Sequence, residues 1–249
     1  MRCIRQRQMT AADVFQEVRL RIKGKCIFSP LGIAAGSSGY ESYPVCAQAE
    51  FDEDKCSMKL GKMQLFDIGN DLYAPQSTTD SEGRRTVIAW ARMPEAVNGR
   101  WIGMFCIPRV VSISDGHIYF RPHPNIISAF SKEITDISQA LDGCFRLVKE
   151  MSEGESIDIG GYVISAFDRK ISADRSAVFA GHEETGYLFE TPELKGGYHI
   201  DVFADTNLIE VYINDGEYVL SSVVYKTGSE IKGEDYRLYT YREDRYEKI

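Results

Sequence analysis

Residues 208–215 read LIEVYIND, and this stretch determines the structural class of the chain. In an extended backbone every second side chain shares a face. Ile209, Val211 and Ile213 therefore share one face, and the intervening side chains, among them Glu210, share the other. This period of two predicts a β-strand that is packed on at least one side.

Short runs of the same kind recur along the chain, and Asn-Gly or Asp-Gly pairs that tolerate positive φ stand near the ends of several of them. The runs are KCIFS (25–29), YPVCAQAEF (43–51), RRTVIAWA (84–91), WIGMFCIP (101–108), HIYFRP (117–122), FRLVKE (145–150), YVISAFD (162–168), YHIDVFAD (198–205) and EYVLSSVVY (217–225). The hairpin signals are Asn98-Gly99, Asp115-Gly116 and Asp215-Gly216. Together these patterns predict an all-β chain.

One segment differs from this pattern and divides the chain. Residues 125–141 read NIISAFSKEITDISQAL, and their apolar side chains recur at spacings of three and four. That periodicity predicts one or two turns of helix, or a longer amphipathic helix. We therefore predict a β-region over residues 1–122, a connector over residues 123–142 and a second β-region over residues 143–249.

Composition excludes several classes of partner. The chain has 249 residues, a formal net charge of -8 and a pI near 5.2, which argues against nucleic acid and anionic membranes as partners. No apolar stretch approaches the roughly 20 residues that span a bilayer. The six cysteines form no CxxC pair, so no metal site is predicted, and Cys26, Cys106 and Cys144 are expected to be buried free thiols. These features predict a cytoplasmic protein.

Carboxylates and aromatic rings are the chemical groups that the sequence concentrates in one place. No P-loop, GxGxxG, HExxH or GxSxG motif occurs, and the four histidines are dispersed. Sugar sites stack ring faces on Trp or Tyr, hold hydroxyls with Asp, Asn, Gln or Arg, and use paired carboxylates for hydrolysis. Residues 66–80, FDIGNDLYAPQSTTD, form a short polar segment with this mixture between strand-like runs. The candidate residues are Asp67, Asn70, Asp71, Tyr73 and Gln76, with Trp101 downstream.

A structural interpretation of the same residues remains open. Asp and Asn commonly cap turns. The ring of Tyr73 and the indole of Trp101 could equally belong to a core.

Several stretches resemble glycoside hydrolase family 32, the β-fructofuranosidases, which include invertases, levanases and inulinases. Residues 66–94 resemble the family pattern D-Y-G-x-D-F-Y-A-P-Q followed by D-x-x-G-R-R, and residues 101–126 resemble its W-A-G and P-R-E-L-x-L-x-D-G-x-L region. KCIFSPLG and AQAEFD upstream are similar to its I-F-S-P-Q-G and G-x-F-D pieces. Residues 160–176 and 199–225 are similar to its trailing β-sandwich.

This resemblance implies a fold, a reaction and a ligand. The expected fold is the C-terminal blades of a five-bladed β-propeller followed by a β-sandwich. The implied reaction is retaining hydrolysis of β-fructosides such as sucrose, levan or inulin, with no metal or organic cofactor. By alignment, Asp67, Asp71, Tyr73 and Gln76 are implied to line sugar subsites, and Trp101 to line the fructose pocket. In the sandwich, Asp205 to Leu208 occupy the usual D-R-S-S and lack its arginine, so that region supports fold rather than a site.

Departures from the family pattern concern the catalytic acids. The nucleophile motif W-M-N-D-P-N-G and the R-D-P motif do not occur, so we expect about the C-terminal half of such an enzyme. Two alignments of the acid/base motif are open: MTAADVF places Thr10 at the glutamate position, and FQEV places Gln16 there with Glu17 one step away. Glu17 is therefore the only catalytic candidate. The residues before 23 are expected to be a divergent or frame-shifted start.

Three functions follow as alternatives. In the first, the chain is an enzyme of the β-fructosidase lineage, although activity of this chain alone is not expected. In the second, it is a non-catalytic fructan-binding module or pseudoenzyme. In the third, it is a half-propeller that assembles with its missing half. Because an incomplete propeller exposes sheet faces, we expect self-association or marginal solubility for residues 1–120. Residues 143–249 are expected to fold as a stable sandwich.

Overall fold

The computed structural model describes residues 20–22, 25–28, 31–32, 43–52, 54–182 and 185–241. Its strands form four antiparallel sheets, which confirms the all-β prediction. The first sheet contains β1 (Leu20–Ile22), β2 (Lys25–Phe28), β3 (Leu31–Gly32), β4 (Tyr43–Asp52) and β5 (Ser57–Leu65). The strand order is β1-β2-β4-β3, and β5 pairs with β4.

The second sheet contains the segment that the sequence marked for function. Its strands are β6 (Leu72–Thr79), β7 (Arg85–Ala91), β8 (Met104–Phe105), β9 (Arg109–Ser114) and β10 (His117–Pro122). They are ordered β10-β9-β7-β6, with β8 paired to β7. The Asp115-Gly116 pair joins β9 to β10 with positive φ at both residues, as predicted.

Residues 66–80 are more regular than the polar segment that the sequence suggested. Most of them form β6, whose pairing with β7 shifts between Tyr73 and Gln76. Ala74 has φ of 50° and precedes Pro75. Pro75 has no backbone N–H to donate to β7, and the bulge places it where that hydrogen bond is not needed. The run at 101–108 was predicted as a strand, but only Met104–Phe105 is one, because its flanking residues turn at Gly103 with φ of 94°.

The connector contains one short helix, in agreement with the predicted one or two turns and not with the longer amphipathic helix. Helix α1 covers Pro124–Ala129, β11 covers Lys132–Ile134, and 3₁₀ turns cover Ile137–Gln139 and Leu141–Gly143. Its apolar residues serve two different cores, because Ile126 packs with the second sheet while Ile134 is buried in the sandwich. A single amphipathic stripe is therefore not formed.

The third and fourth sheets face each other as a β-sandwich. The strands are β12 (Phe145–Met151), β13 (Ser156–Ile159), β14 (Tyr162–Phe167), β15 (Lys170–Asp174), β16 (Leu188–Glu190), β17 (Tyr198–Ala204), β18 (Leu208–Ile213), β19 (Tyr218–Val223), β20 (Ile231–Lys232) and β21 (Tyr236–Thr240). The third sheet is ordered β11-β21-β12-β17-β18-β19, and the fourth β16-β15-β14-β13-β20. Strand β11 thus attaches the connector to the sandwich.

Strand β18 is buried on both faces and belongs to two cores. Ile209, Val211 and Ile213 pack inside the sandwich. Leu208 and Tyr212, on the opposite face, pack with side chains of the second sheet. The period of two in this stretch therefore identified the strand correctly, and its second apolar face marks where the third sheet meets the second sheet.

The cysteine prediction is confirmed for Cys106, which is free and buried. Cys144 is free as predicted but only half-buried. The side chain of Cys26 lies outside the described residues. Among the residues that the structure describes, none of the helices has the length and apolarity needed to cross a membrane. The cytoplasmic location stays a prediction.

Candidate functional site

The turn before β6 lies at the interface between the second and third sheets, here called the seam. Gly69 comes close to the backbone of β19, where a Cβ on Gly69 would lie 1.9 Å from the carbonyl oxygen of Ser221. Ile68 N donates to Val219 O at 2.8 Å. This contact places Asp67 and Asp71 on either side of the turn, each facing the sandwich.

Arg109, at the start of β9, is the centre of the first buried cluster at the seam. Its Nη1 lies 2.8 Å from Asp67 Oδ2, and its Nη2 donates to Glu210 Oε2 at 2.7 Å. Nη2 also donates to Ser221 Oγ at 2.7 Å, and Nε donates to the Tyr212 hydroxyl at 3.1 Å. The cluster therefore joins two strands of the sandwich to two segments of the second sheet.

Burial governs protonation in this cluster. Asp67 accepts from Ser221 N at 2.9 Å and Ser221 Oγ at 2.7 Å, yet desolvation raises the pKa of its carboxyl to about 6. Desolvation also raises the pKa of the Tyr212 hydroxyl well above its ordinary value and the pKa of the Cys106 thiol to about 12. Of these three side chains, Asp67 is the one whose pKa lies nearest neutrality.

Arg175 is the centre of the second buried cluster. Its Nη1 lies 2.5 Å from Asp71 Oδ2, which also accepts from Val223 N at 2.7 Å. Its Nη2 donates to Asn70 Oδ1 at 3.2 Å, and its guanidinium lies 3.8 Å from the ring centroid of Phe179. This cluster connects the same turn to the sandwich from the other side.

The structure therefore brings Asp67, Asn70 and Asp71 together, but buried and paired with sandwich residues. Both carboxylates are at most 1% exposed. Such placement matches the structural interpretation, in which these side chains fix a turn. Sugar contact by Asp67 and Asp71 stays a prediction.

An exposed face of the second sheet carries the aromatic candidates. Tyr73 on β6 is opposite Trp90 on β7, and Trp90 is opposite Phe105 on β8. Directly opposed residues share a face, so the three rings form what we call the aromatic row. The Tyr73 and Trp90 ring centroids are 6.1 Å apart in an edge-to-face arrangement. Trp90 is 40% exposed and Phe105 is 69% exposed.

Polar side chains accompany the aromatic row. Gln76 is exposed and opposite Ile88, which places it on the same face of the sheet. The Arg92 guanidinium lies 5.0 Å from the centroid of the Tyr73 ring. Trp101 is 43% exposed in the turn that precedes β8. These groups provide ring faces and hydrogen-bonding atoms of the kind that bind saccharides.

Several residues of the candidate site lay outside the sequence prediction. Trp90 and Phe105 were treated only as parts of strands, although the alternation of Trp90 with the buried Ala89 and Ala91 could have indicated an outward face. Arg109 and Arg175 gave little local signal, because Glu210 is 101 residues from Arg109 and Asp71 is 104 residues from Arg175. Glu17 lies outside the described residues, so its catalytic role stays a prediction.

The described histidines form hydrogen bonds or ion pairs within the fold. His117 Nε2 contacts Glu217 O at 2.7 Å, His123 caps helix α1 and contacts Asp80 at 3.0 Å, and His199 pairs with Glu150. In the part of the chain that the structure describes, no group of three or more His, Cys, Asp or Glu side chains is arranged to hold a metal ion.

Comparison with curated proteins identifies relatives along most of the chain. The sucrose-6-phosphate hydrolase of Vibrio alginolyticus is 30% identical over 217 residues, covering 79% of this chain and 44% of the relative. The enzyme of the same name from Bacillus subtilis is 27% identical, covering 79% and 45%. The chain thus spans about half the length of the curated relatives it matches.

Solved structures show the same fold. The sucrose-6-phosphate hydrolase from Lactobacillus gasseri matches with a TM-score of 0.71 and 20% identity, over 88% of this chain and 52% of that one. A β-fructofuranosidase of Bombyx mori, solved as a mutant in complex with sucrose, matches with a TM-score of 0.68 and 19% identity, over 90% and 53%.

Family models account for both parts of the chain. The glycosyl hydrolases family 32 N-terminal domain matches residues 10–122, and the glycosyl hydrolases family 32 C-terminal model matches residues 137–244. Together they cover most of the sequence in the family's order. The chain belongs to glycosyl hydrolase family 32.

Proposed function

We propose that the chain serves the hydrolysis of β-fructosides and contributes a saccharide-contacting face to that reaction. The observation that carries the proposal is the ordered match to both domains of family 32, whose relatives here are sucrose-6-phosphate hydrolases and a β-fructofuranosidase that binds sucrose. The aromatic row, with Gln76 beside it, supplies the chemistry of such contact on this chain.

We do not expect the described residues alone to catalyse hydrolysis. A retaining mechanism needs one carboxylate as nucleophile and another as acid and base, roughly 5 Å apart and able to reach substrate. Asp67, Asp71 and Glu210 are buried and held by arginines, so they cannot meet a sugar without opening the seam. We therefore expect the chain by itself to bind β-fructosides without turnover.

Domain assignments are proposed with this function. The first and second sheets correspond to C-terminal blades of a five-bladed propeller, within residues 1–122. Residues 123–142 connect them to the sandwich at 143–249. Pairing of β11 with β21 supports treating the end of the connector as part of the sandwich.

Loss of the Trp90 ring is expected to weaken saccharide binding. Stacking of a sugar on an indole contributes about 1 kcal/mol or more, so Trp90→Ala should lower inulin affinity at least about fivefold. Phe167→Ala is the matched control, because Phe167 is 71% exposed on the fourth sheet, away from the aromatic row. Isothermal titration of the full chain with inulin and with sucrose measures both. Equal affinity of Trp90→Ala and the unaltered chain would contradict this role.

A second candidate function is assembly with further sheets of the same fold. Strand β5 exposes four apolar side chains, Met58, Leu60, Met63 and Leu65. Phe105 on β8 and Ile102 in the turn before β8 are also exposed. The chain covers 52% of the Lactobacillus gasseri structure, so that protein has further residues of the kind that such faces would contact in an assembly.

A substitution on β5 separates the two candidates. Met63 is 60% exposed and lies on the first sheet, apart from the aromatic row. Met63→Lys should abolish association with an added polypeptide that carries the N-terminal half of the Vibrio relative, while inulin affinity stays unchanged. Fructose release that appears only in the mixture would support assembly. Association that survives Met63→Lys would contradict the involvement of β5.

A further inference from the structure

The Arg109 cluster contains an unequal number of opposite charges. One guanidinium lies between two carboxylates, 2.8 Å from Asp67 Oδ2 and 2.7 Å from Glu210 Oε2. All three side chains are at most 1% exposed. With both carboxylates ionised, the cluster carries one net negative charge away from water, which is an unfavourable state.

The groups packed around the cluster do not supply the missing positive charge. Arg175 is already paired with Asp71 at 2.5 Å. The remaining titratable neighbours are a thiol and two phenols whose pKa values are raised by burial, so they stay neutral near neutrality: Cys106, Tyr162 and Tyr212. Among the described residues, a proton is therefore what would balance this cluster.

Hydrogen bonding distinguishes the two carboxylates as proton acceptors. Glu210 receives donors from Ile107 N at 2.7 Å, from Arg109 and from the Tyr212 hydroxyl at 3.0 Å. A proton on either oxygen of Glu210 would compete with an N–H group, of Ile107 or of Arg109, that already donates to that oxygen. Asp67 Oδ1 also accepts from backbone, from Gly69 N and Ser221 N, both at 2.9 Å. Asp67 Oδ2 differs, because Arg109 Nη1 lies 2.8 Å from it without forming a hydrogen bond, and its hydrogen-bond partner is the Ser221 hydroxyl at 2.7 Å. A hydroxyl can accept a hydrogen bond as well as donate one, so this oxygen can carry a proton.

We propose that the seam is a proton-dependent clamp, in which uptake of one proton by Asp67 removes the net buried charge and holds the second sheet more firmly to the sandwich. The cluster spans the seam, since Asp67 lies in the turn before β6 and Arg109 begins β9, whereas Glu210 belongs to β18 of the sandwich. The clamp thus links proton concentration to the attachment of one domain to the other.

The direction of the pH effect follows from the two states of the chain. Burial raises the pKa of Asp67 to about 6, from 3.8 as its ordinary value in an unfolded chain. Between these values the folded chain holds the proton and the unfolded chain does not. The stability linked to Asp67 is therefore fully present below pH 3.8 and is lost as the pH rises through about 6.

Infrared titration of the full chain tests the clamp directly. The C=O stretch of one protonated buried carboxyl should appear with a midpoint near pH 6. Asp67→Asn should abolish it, and Asp158→Asn, on the far side of the sandwich, should leave it unchanged. In parallel, the unfolding temperature of the unaltered chain should rise from pH 7.5 to pH 5.5 relative to that of Asp67→Asn. A band that survives Asp67→Asn, or no band between pH 5 and 7.5, would overturn the proposal.

A second variant keeps the test decisive if Asp67→Asn does not fold. Glu210→Gln removes one negative charge while retaining the shape of the side chain, so Arg109 and Asp67 then balance each other. The titration midpoint of Asp67 should fall by about one pH unit or more. An unchanged midpoint in Glu210→Gln would show that the charge count does not govern proton uptake.

Discussion

Replacing Arg109 with leucine is expected to destabilise the folded chain by about 4 kcal/mol, the cost of leaving buried charges without their partner. Asp67 and Glu210 would both lose their counterion, and the Tyr212 and Ser221 hydroxyls would lose a donor. Since domains of this kind are stable by only about 5–15 kcal/mol, the loss is a large fraction of the total. Urea unfolding followed by tryptophan fluorescence measures it.

The matched control for Arg109 is an arginine in an exposed ion pair. Arg169 Nη2 lies 2.8 Å from Glu193, and both side chains are more than 60% exposed. Exposed pairs contribute little, so Arg169→Leu should leave the urea midpoint nearly unchanged. If Arg109→Leu and Arg169→Leu shift the midpoint equally, the seam does not stabilise the chain in the way described.

Replacing Gly69 with alanine is expected to destabilise the chain by about 3 kcal/mol or more, because the added Cβ meets backbone rather than a flexible side chain. It would lie 1.9 Å from Ser221 O and 3.0 Å from Asp67 Oδ1. The turn must then move away from β19. Such a shift lengthens the bonds from Ser221 to Asp67 and from Val223 to Asp71.

Gly196 provides the comparison for this substitution. A Cβ there meets no atom within 4 Å, so Gly196→Ala should change the unfolding temperature little. Thermal unfolding of both variants, followed by circular dichroism, measures the difference. A Gly69→Ala chain as stable as Gly196→Ala would show that the turn does not pack against β19.

Local periodicity was sufficient to identify most of the strands. The alternation in 208–215 predicted β18, and the Asp115-Gly116 pair predicted the β9–β10 hairpin. Local periodicity was insufficient where a strand contains a bulge. Strand β6 was not predicted because it contains Pro75 and a positive φ at Ala74, and a bulge depends on the partner strand and not on composition.

The burial of the acidic residues in the candidate site could not be predicted from the sequence. Residues 66–80 were marked as a candidate sugar site, which stays a prediction, and the partners of Asp67 and Asp71 include residues more than 100 positions away, such as Ser221 at a separation of 154. Pairing over such distances leaves no local pattern. Exposure of Trp90 likewise depends on which face of the sheet meets the sandwich, and that is decided by tertiary packing.

The double burial of β18 has a consequence for exchanging domains between family members. A sandwich taken from a relative would bring its own residues at the positions of Glu210 and Tyr212, while the recipient keeps Arg109 and Asp67. A mismatch would leave a buried charge at the seam without its partner, even if each domain were intact. Chimaeras of this family should therefore be recombined with the seam residues transferred as one set.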